Sequence, residues 1–159
     1  MHNAAIEALG LNWVYVPFEV APENVGAAVA SIRALGLVGV NVTVPLKELV
    51  LPYLDEIDAD AARVGSVNTI CNRNGKLIGY STDGAGFLRS LKEVGQAMDN
   101  RRVYLLGAGG SARAVAFALA SHGCFCTIAN RTRERADELA AAVNAAYPNQ
   151  TLKLICQRY

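Results

Sequence analysis

The spacing of apolar and polar residues divides the first part of the chain into short elements. Residues 12–20 alternate and are rich in β-branched and aromatic side chains, which favours a strand. The pattern predicts a helix over 3–9 that ends at Gly10, a strand over 12–20, a helix from Pro22 to about Leu35, and a strand over 37–44. A strand, a helix and a strand in this order predict a parallel pair joined by a right-handed crossover.

The middle of the chain has shorter segments. Two short helices are predicted over 46–54 and 57–63, and a longer helix over 84–95. Asn74-Gly75 separates two short apolar runs, and this dipeptide is a strong signal for a β-hairpin.

The last third of the chain alternates strands and helices. The pattern predicts strands over 103–107, 124–129 and 151–156, and helices over 111–122 and 133–146. This β-α-β-α-β order is one mononucleotide-binding half of a doubly wound sheet. The predicted fold class is therefore α/β with two domains: an α/β domain at 1–83, a connecting helix and linker at 84–100, and a partial Rossmann-like domain at 101–159.

Composition and charge narrow the class of protein. Apolar residues make up 52% and charged residues 18% of the chain, which is typical of a globular protein. The formal net charge of +1 predicts no general affinity for nucleic acid or anionic membranes. The chain has no apolar run of the ~20 residues that span a bilayer, and its first ten residues lack the pattern of a signal peptide. We therefore expect a cytoplasmic protein.

The cysteines and histidines do not indicate a metal site. The C-x-C spacing at 124–126 places two thiols on one face of a predicted strand and lacks the C-x-x-C knuckles of zinc sites. Buried free thiols are predicted for Cys71, Cys124, Cys126 and Cys156. His2 and His122 have no partner cluster, and neither is assigned to a metal or to catalysis.

A glycine-rich turn joins the strand at 103–107 to the next helix. Gly107 permits a tight turn, Gly109 lets the backbone approach a pyrophosphate, and Ala112 is small enough for close packing of helix and strand. Free N–H groups at the helix start then face the phosphates. We therefore predict dinucleotide binding by Gly107, Ala108, Gly109, Gly110, Ser111 and Ala112; the alternative is a turn of purely structural use.

The end of the next strand indicates which dinucleotide is bound. NAD-specific sites usually have Asp or Glu here to bind the ribose 2′-OH, whereas this chain has the segment NRTRER. Guanidinium groups bind a 2′-phosphate through charge-assisted hydrogen bonds, and Thr132 can cap the following helix. The predicted cofactor is NADP, with contacts from Asn130, Arg131, Thr132 and Arg135; the alternative is a solvated helix start.

Five segments occur in an order that is specific to one family: NVTVPLK, GSVNTI, GYSTDGAG, LGAGGSARA and NRTRERA. Together they resemble shikimate dehydrogenases over nearly the whole chain. The resemblance implies an NADP-dependent enzyme that interconverts shikimate and 3-dehydroshikimate. It also implies that the domain at 1–83 binds this small-molecule substrate, in a cleft next to the nucleotide domain.

The resemblance implies roles for five residues of the first domain. Lys47 matches the family's catalytic lysine and Asp83 its catalytic aspartate, and both contact the substrate. Asn68 matches a residue that hydrogen-bonds substrate hydroxyls, as do Asn41 and Thr43 less closely. Taken alone, Lys47 would be interpreted as a surface lysine in a first helical turn, and Asp83 as a helix N-cap.

The residue types fit the implied reaction. Reduction of a ketone by hydride develops negative charge on the oxygen, and a lysine ammonium can stabilise that charge and donate the proton. A nearby aspartate holds the ammonium in place, and a polyol substrate needs polar side chains on rigid strands.

The chain departs from the family pattern at three places. Ser81 stands where the family usually has asparagine. The family has a strand and a serine-containing loop, which binds the substrate carboxylate, before the M-H-N that opens this chain. It also continues after residue 159 with the second half of the nucleotide-binding sheet. We therefore expect a chain truncated at both ends, and the resemblance does not establish activity for these residues alone.

Two alternatives stay open. A quinate/shikimate dehydrogenase of the same family would use NAD or accept both cofactors, although Arg131 favours NADP. A non-catalytic ligand-binding relative would keep the fold without turnover, but the loss of Lys47 or Asp83 that would mark it has not occurred. The sequence leaves the oligomeric state open, and a homodimer is compatible with it.

Overall fold

The computed structural model describes residues 1–148 and the backbone of 153–154, and it confirms an α/β fold. The helices are α1 (His2–Ala8), α2 (Val25–Ala34), α3 (Ala59–Val64), α4 (Asp83–Glu93), α5 (Gly110–Ser121) and α6 (Arg133–Ala146). The strands are β1 (Gly39–Asn41), β2 (Glu56–Ile57), β3 (Thr69–Arg73), β4 (Lys76–Tyr80), β5 (Arg102–Leu106), β6 (Phe125–Ala129) and β7 (Lys153–Leu154). Short 3-10 helices cover Pro22–Asn24 and Leu51–Tyr53.

The first sheet has the strand order β1-β3-β4-β2. Its centre is the predicted hairpin, in which Arg73 pairs with Lys76 across Asn74-Gly75. Both turn residues have positive φ, 53° and 88°, as the two-residue type I′ turn requires. An aliphatic core packs on this sheet and includes Val25, Val29, Ile32, Val42, Val50, Val67, Ile70 and Leu77.

Several predictions for this part of the chain are wrong. Residues 12–20 form no strand, because a strand requires a hydrogen-bonded neighbour and this segment has no ladder partner within 1–148 or 153–154. The predicted parallel crossover is therefore not formed, and β1 pairs with β3 in the antiparallel direction. Instead of an α-helix, 46–54 contains turns and a 3-10 helix, because Pro52 has no N–H to donate to the preceding turn. The strand predicted over 37–44 is also shorter, at 39–41.

The second sheet contains β5, β6 and β7 in that order, all parallel. This arrangement confirms the predicted β-α-β-α-β unit, although most of the strand predicted over 151–156 lies outside the described residues. Alanine, aliphatic and aromatic side chains of α5, β6 and α6 form its core, including Ala116, Phe117, Leu119, Ile128, Leu139 and Val143. In the described part of the chain, no helix is long and apolar enough to cross a membrane.

The thiols of Cys126 in β6 and of Cys124 just before it belong to the core of the second sheet. Cys124 and Cys126 are buried and free, as predicted. Burial raises the pKa of both thiols, and that of Cys126 rises to about 11, so neither is a thiolate at neutral pH. Cys71 is free but only half-buried, which corrects the prediction for that residue, and Cys156 lies outside the described residues.

Helix α4 connects the two sheets along the chain and packs closely against α5. A Cβ atom on Gly84 would lie 2.7 Å from the carbonyl oxygen of Ala114 and 3.0 Å from Cβ of Ala118. Only small residues permit this contact, which places the first residues of α4 against the middle of α5. The domain bounds 1–83, 84–100 and 101–159 stay predictions.

Candidate active site

Lys47 follows β1, and its side chain extends into the protein. It is only 8% exposed, although lysine is rarely buried without a partner. Its Nζ atom lies 2.5 Å from Oδ2 of Asp83 and 2.9 Å from Oγ of Ser111. Its backbone carbonyl accepts a hydrogen bond from the N–H of Val67, which fixes this segment to the residues before β3. The surface-lysine interpretation is therefore wrong.

Asp83 is the first residue of α4, and both of its carboxylate oxygens accept hydrogen bonds. Oδ2 accepts from Lys47 and, at 3.1 Å, from the hydroxyl of Ser111. Oδ1 accepts from Nδ2 of Asn68 at 2.6 Å. The N-cap position belongs to Thr82, so the N-cap interpretation of Asp83 is wrong. A carboxylate in the first turn is nevertheless favourable, because the helix start carries partial positive charge.

The surroundings of Asp83 keep it ionised. Burial is the largest single influence on its pKa and acts to raise it. The hydrogen bond and positive charge of Lys47, together with hydrogen bonds from Asn68 and Ser111, outweigh burial and lower the pKa of Asp83 below its ordinary value of 3.8. At neutral pH, Lys47 therefore has a charged partner.

Asn68 connects this pair to the polar residues at the ends of the strands. Its Nδ2 also donates to Oγ1 of Thr82 at 2.9 Å, and its Oδ1 accepts from the Thr82 N–H and the Thr69 hydroxyl at 3.0 and 3.1 Å. Nδ2 of Asn41 donates to the Thr69 hydroxyl at 3.4 Å. Thr43 is exposed, two residues beyond Asn41.

The sequence analysis did not predict Thr69 and Thr82 as part of this network. Each is adjacent in sequence to a predicted site residue, Asn68 or Asp83, within the segments GSVNTI and GYSTDGAG. A hydroxyl directly next to an amide or carboxylate in a site segment was the available signal.

The glycine turn contacts the segment that carries Lys47. Gly107 has a φ of 114°, which favours glycine, and no atom lies within 4 Å of a Cβ built on Gly109. A Cβ on Gly110, by contrast, would lie 2.8 Å from Oγ of Ser66 and 3.2 Å from Cβ of Lys47. Gly110 therefore has a packing role that was not predicted, and its contact with a cofactor stays a prediction.

We expect Gly110→Ala to lower the free energy of unfolding by about 1–3 kcal/mol, because overpacking a close contact costs this much. Denaturant unfolding monitored by circular dichroism measures the effect. Gly86→Ala on α4 is the matched control, since no atom lies within 4 Å of its added methyl group. Equal stability of the two variants would contradict the packing role.

The segment after β6 exposes two of the predicted cofactor residues. Arg131 and Arg135 are exposed, and neither forms an ion pair or hydrogen bond with another described residue. The loop is held by the side chain of Asn130, whose Nδ2 donates to the carbonyl of Thr132 at 2.8 Å. Thr132 takes the N-cap position of α6 as predicted, but its side chain makes no capping hydrogen bond.

Both halves of the chain match models of one protein family. Residues 1–70 match the shikimate dehydrogenase substrate binding domain, and residues 89–157 match shikimate / quinate 5-dehydrogenase. The chain belongs to the shikimate dehydrogenase family.

Members of the shikimate dehydrogenase family are similar to this chain in both sequence and structure. A shikimate dehydrogenase (NADP(+)) of Moorella thermoacetica is 57% identical over 147 residues, which are 92% of this chain and 50% of the relative. A crystal structure of shikimate dehydrogenase in complex with NADP+ has a TM-score of 0.90 and 46% identity, covering 98% of this chain and 55% of that one. The Thermus thermophilus enzyme in complex with NADP(H) and shikimate has a TM-score of 0.85 and 38% identity, covering 97% and 56%. The chain thus spans about half the length of the relatives it matches.

Proposed function

We propose that the protein containing this chain is an NADP-dependent shikimate dehydrogenase, which reduces 3-dehydroshikimate to shikimate. One observation carries most of the argument: Nζ of Lys47 contacts both Asp83 and Ser111. This contact supports the proposal, because it lies at the glycine turn that is predicted to bind the dinucleotide. The match of both chain halves to the family supports the same activity.

The described residues fit NADP. The turn is open at Gly109, where the backbone has room for a diphosphate. The exposed guanidinium groups of Arg131 and Arg135 suit a 2′-phosphate, whereas a carboxylate at the end of β6 would repel it. When bound, the reduced cofactor supplies the hydride for the carbonyl carbon.

The residues of the chain supply the proton and hold the substrate. The ammonium of Lys47 donates a proton to the oxygen of the reduced carbonyl and stabilises the negative charge that develops there. Asp83 holds the ammonium in place through the 2.5 Å contact. Asn68, Asn41 and Thr43 offer amide and hydroxyl groups to the hydroxyls of the substrate.

Initial rates with shikimate and quinate, each with NADP and NAD, test this proposal in the natural full-length protein. We expect the highest kcat/KM for shikimate with NADP. The highest value for quinate with NAD would favour the quinate/shikimate alternative, and ligand binding without turnover would favour a non-catalytic relative. The cytoplasmic location and a homodimer stay predictions.

A further inference from the structure

Ser111 of α5 forms a triangle of hydrogen bonds with Lys47 and Asp83. Oγ of Ser111 lies 2.9 Å from Nζ of Lys47 and 3.1 Å from Oδ2 of Asp83. An ammonium can only donate, so Lys47 donates to the serine oxygen, and the serine hydroxyl donates its own proton to Asp83. Each of the three groups is therefore bonded to the other two.

Ser111 links parts of the chain that are distant in sequence. It is the second residue of α5, at the glycine turn, whereas Lys47 follows β1 and Asp83 follows β4. Its neighbour Gly110 allows the close approach, since a side chain there would meet the stem of Lys47. A second contact of the same turn holds α5 in place: Nε of Arg113 donates to the Val64 carbonyl, at the end of α3, at 2.9 Å.

Attraction to Asp83 alone does not fix the direction of a lysine ammonium. The side chain has four rotatable bonds, and the charge can move around the carboxylate with little change in energy. The hydroxyl of Ser111 supplies a second, directional partner. With two of the three ammonium hydrogens bonded, one remains for the substrate, since Nζ contacts no further hydrogen-bond partner among the described residues.

We propose, on the basis of the proposed function, that Ser111 is a positioning residue that aims the Lys47 ammonium at the substrate oxygen. The placement of α5, which the cofactor is predicted to contact, thereby determines where the proton donor lies. Ser111 acts through Lys47 and Asp83 and takes no part in the proton transfer itself.

Steady-state kinetics of Ser111→Ala and Ser111→Thr in the natural full-length protein test this role. We expect Ser111→Ala to lower kcat about tenfold, because small displacements of a catalytic group have effects of this order or larger. The KM for shikimate should not change, and Ser111→Thr should restore most of kcat because it keeps the hydroxyl. Ser121→Ala, at the other end of α5 with its hydroxyl bonded to the Ala118 carbonyl, is the control and should match the wild type.

Two results would overturn the proposal: an unchanged kcat in Ser111→Ala, whatever its KM, or equal losses of kcat in the alanine and threonine variants. A second measurement does not require turnover and so separates this proposal from the proposed function. In protein labelled with 13C at lysine Cε, we expect Ser111→Ala to shift the Lys47 signal and Ser121→Ala to leave it unchanged. The Lys47 signal is assigned by its loss in Lys47→Ala, and an unshifted signal in Ser111→Ala would overturn the proposal even if the protein has no shikimate activity.

Discussion

In the natural full-length protein, replacing Lys47 with alanine will lower kcat for the proposed reduction of 3-dehydroshikimate by about 10³-fold, because the change removes the proposed proton donor and general acid–base groups contribute on this order. The dissociation constant of NADPH should stay unchanged, since Lys47 is predicted to act on the substrate. Steady-state kinetics and a fluorescence titration with NADPH measure the two effects.

Two further variants separate chemistry from packing. Lys47→Met keeps an unbranched apolar stem against Gly110 and should lose as much kcat as the alanine variant. Lys76→Ala on β4 removes an exposed lysine whose Nζ pairs with Glu56 at 2.5 Å, and its activity should equal that of the wild type. A parallel loss of NADPH binding in both Lys47 variants would show that the lysine is structural.

Arg131→Ala will weaken NADP binding by about 10- to 100-fold, because a hydrogen bond to a charged group contributes about 1.5–3 kcal/mol. Binding of NAD, which lacks the 2′-phosphate, should be nearly unaffected. Isothermal titration calorimetry with both dinucleotides measures the two affinities.

Arg133→Ala is the matched control for this prediction. Arg133 belongs to the same cluster, but its Nε lies 3.5 Å from Oδ2 of Asp137, one helical turn away. Its removal should therefore have a smaller effect on NADP. If Arg131→Ala weakens NAD as much as NADP, the assignment of the 2′-phosphate to Arg131 is wrong.

Local sequence signals were sufficient to predict those helices, strands and turns whose formation depends on their own residues. Asn74-Gly75 adopts the two positive φ angles of the predicted turn, and the β-α-β-α-β unit has its helices and strands within a few residues of the predicted bounds. Residues 12–20 show the limit of such signals. Their alternation favours an extended backbone, but a strand also requires a neighbouring strand, which a local pattern cannot supply.

The candidate site likewise has a part that was predicted from the sequence and a part that was not. The resemblance identified Lys47 and Asp83, and the structure brings their side chains together. The bonds of Ser111 to that pair and the packing of Gly110 against Lys47 were not predicted. Both depend on how α5 approaches residues that are distant in sequence, since Asp83 precedes Ser111 by 28 positions and Lys47 precedes it by 64.

The tight fit of Gly84 against Ala114 has a mechanical consequence. It joins α4 to α5, while the hydrogen bond from Asn68 to Asp83 ties the first residue of α4 to the first sheet. A larger side chain at position 84 would therefore push α4 away from α5 and strain the 3.1 Å bond between Ser111 and Asp83.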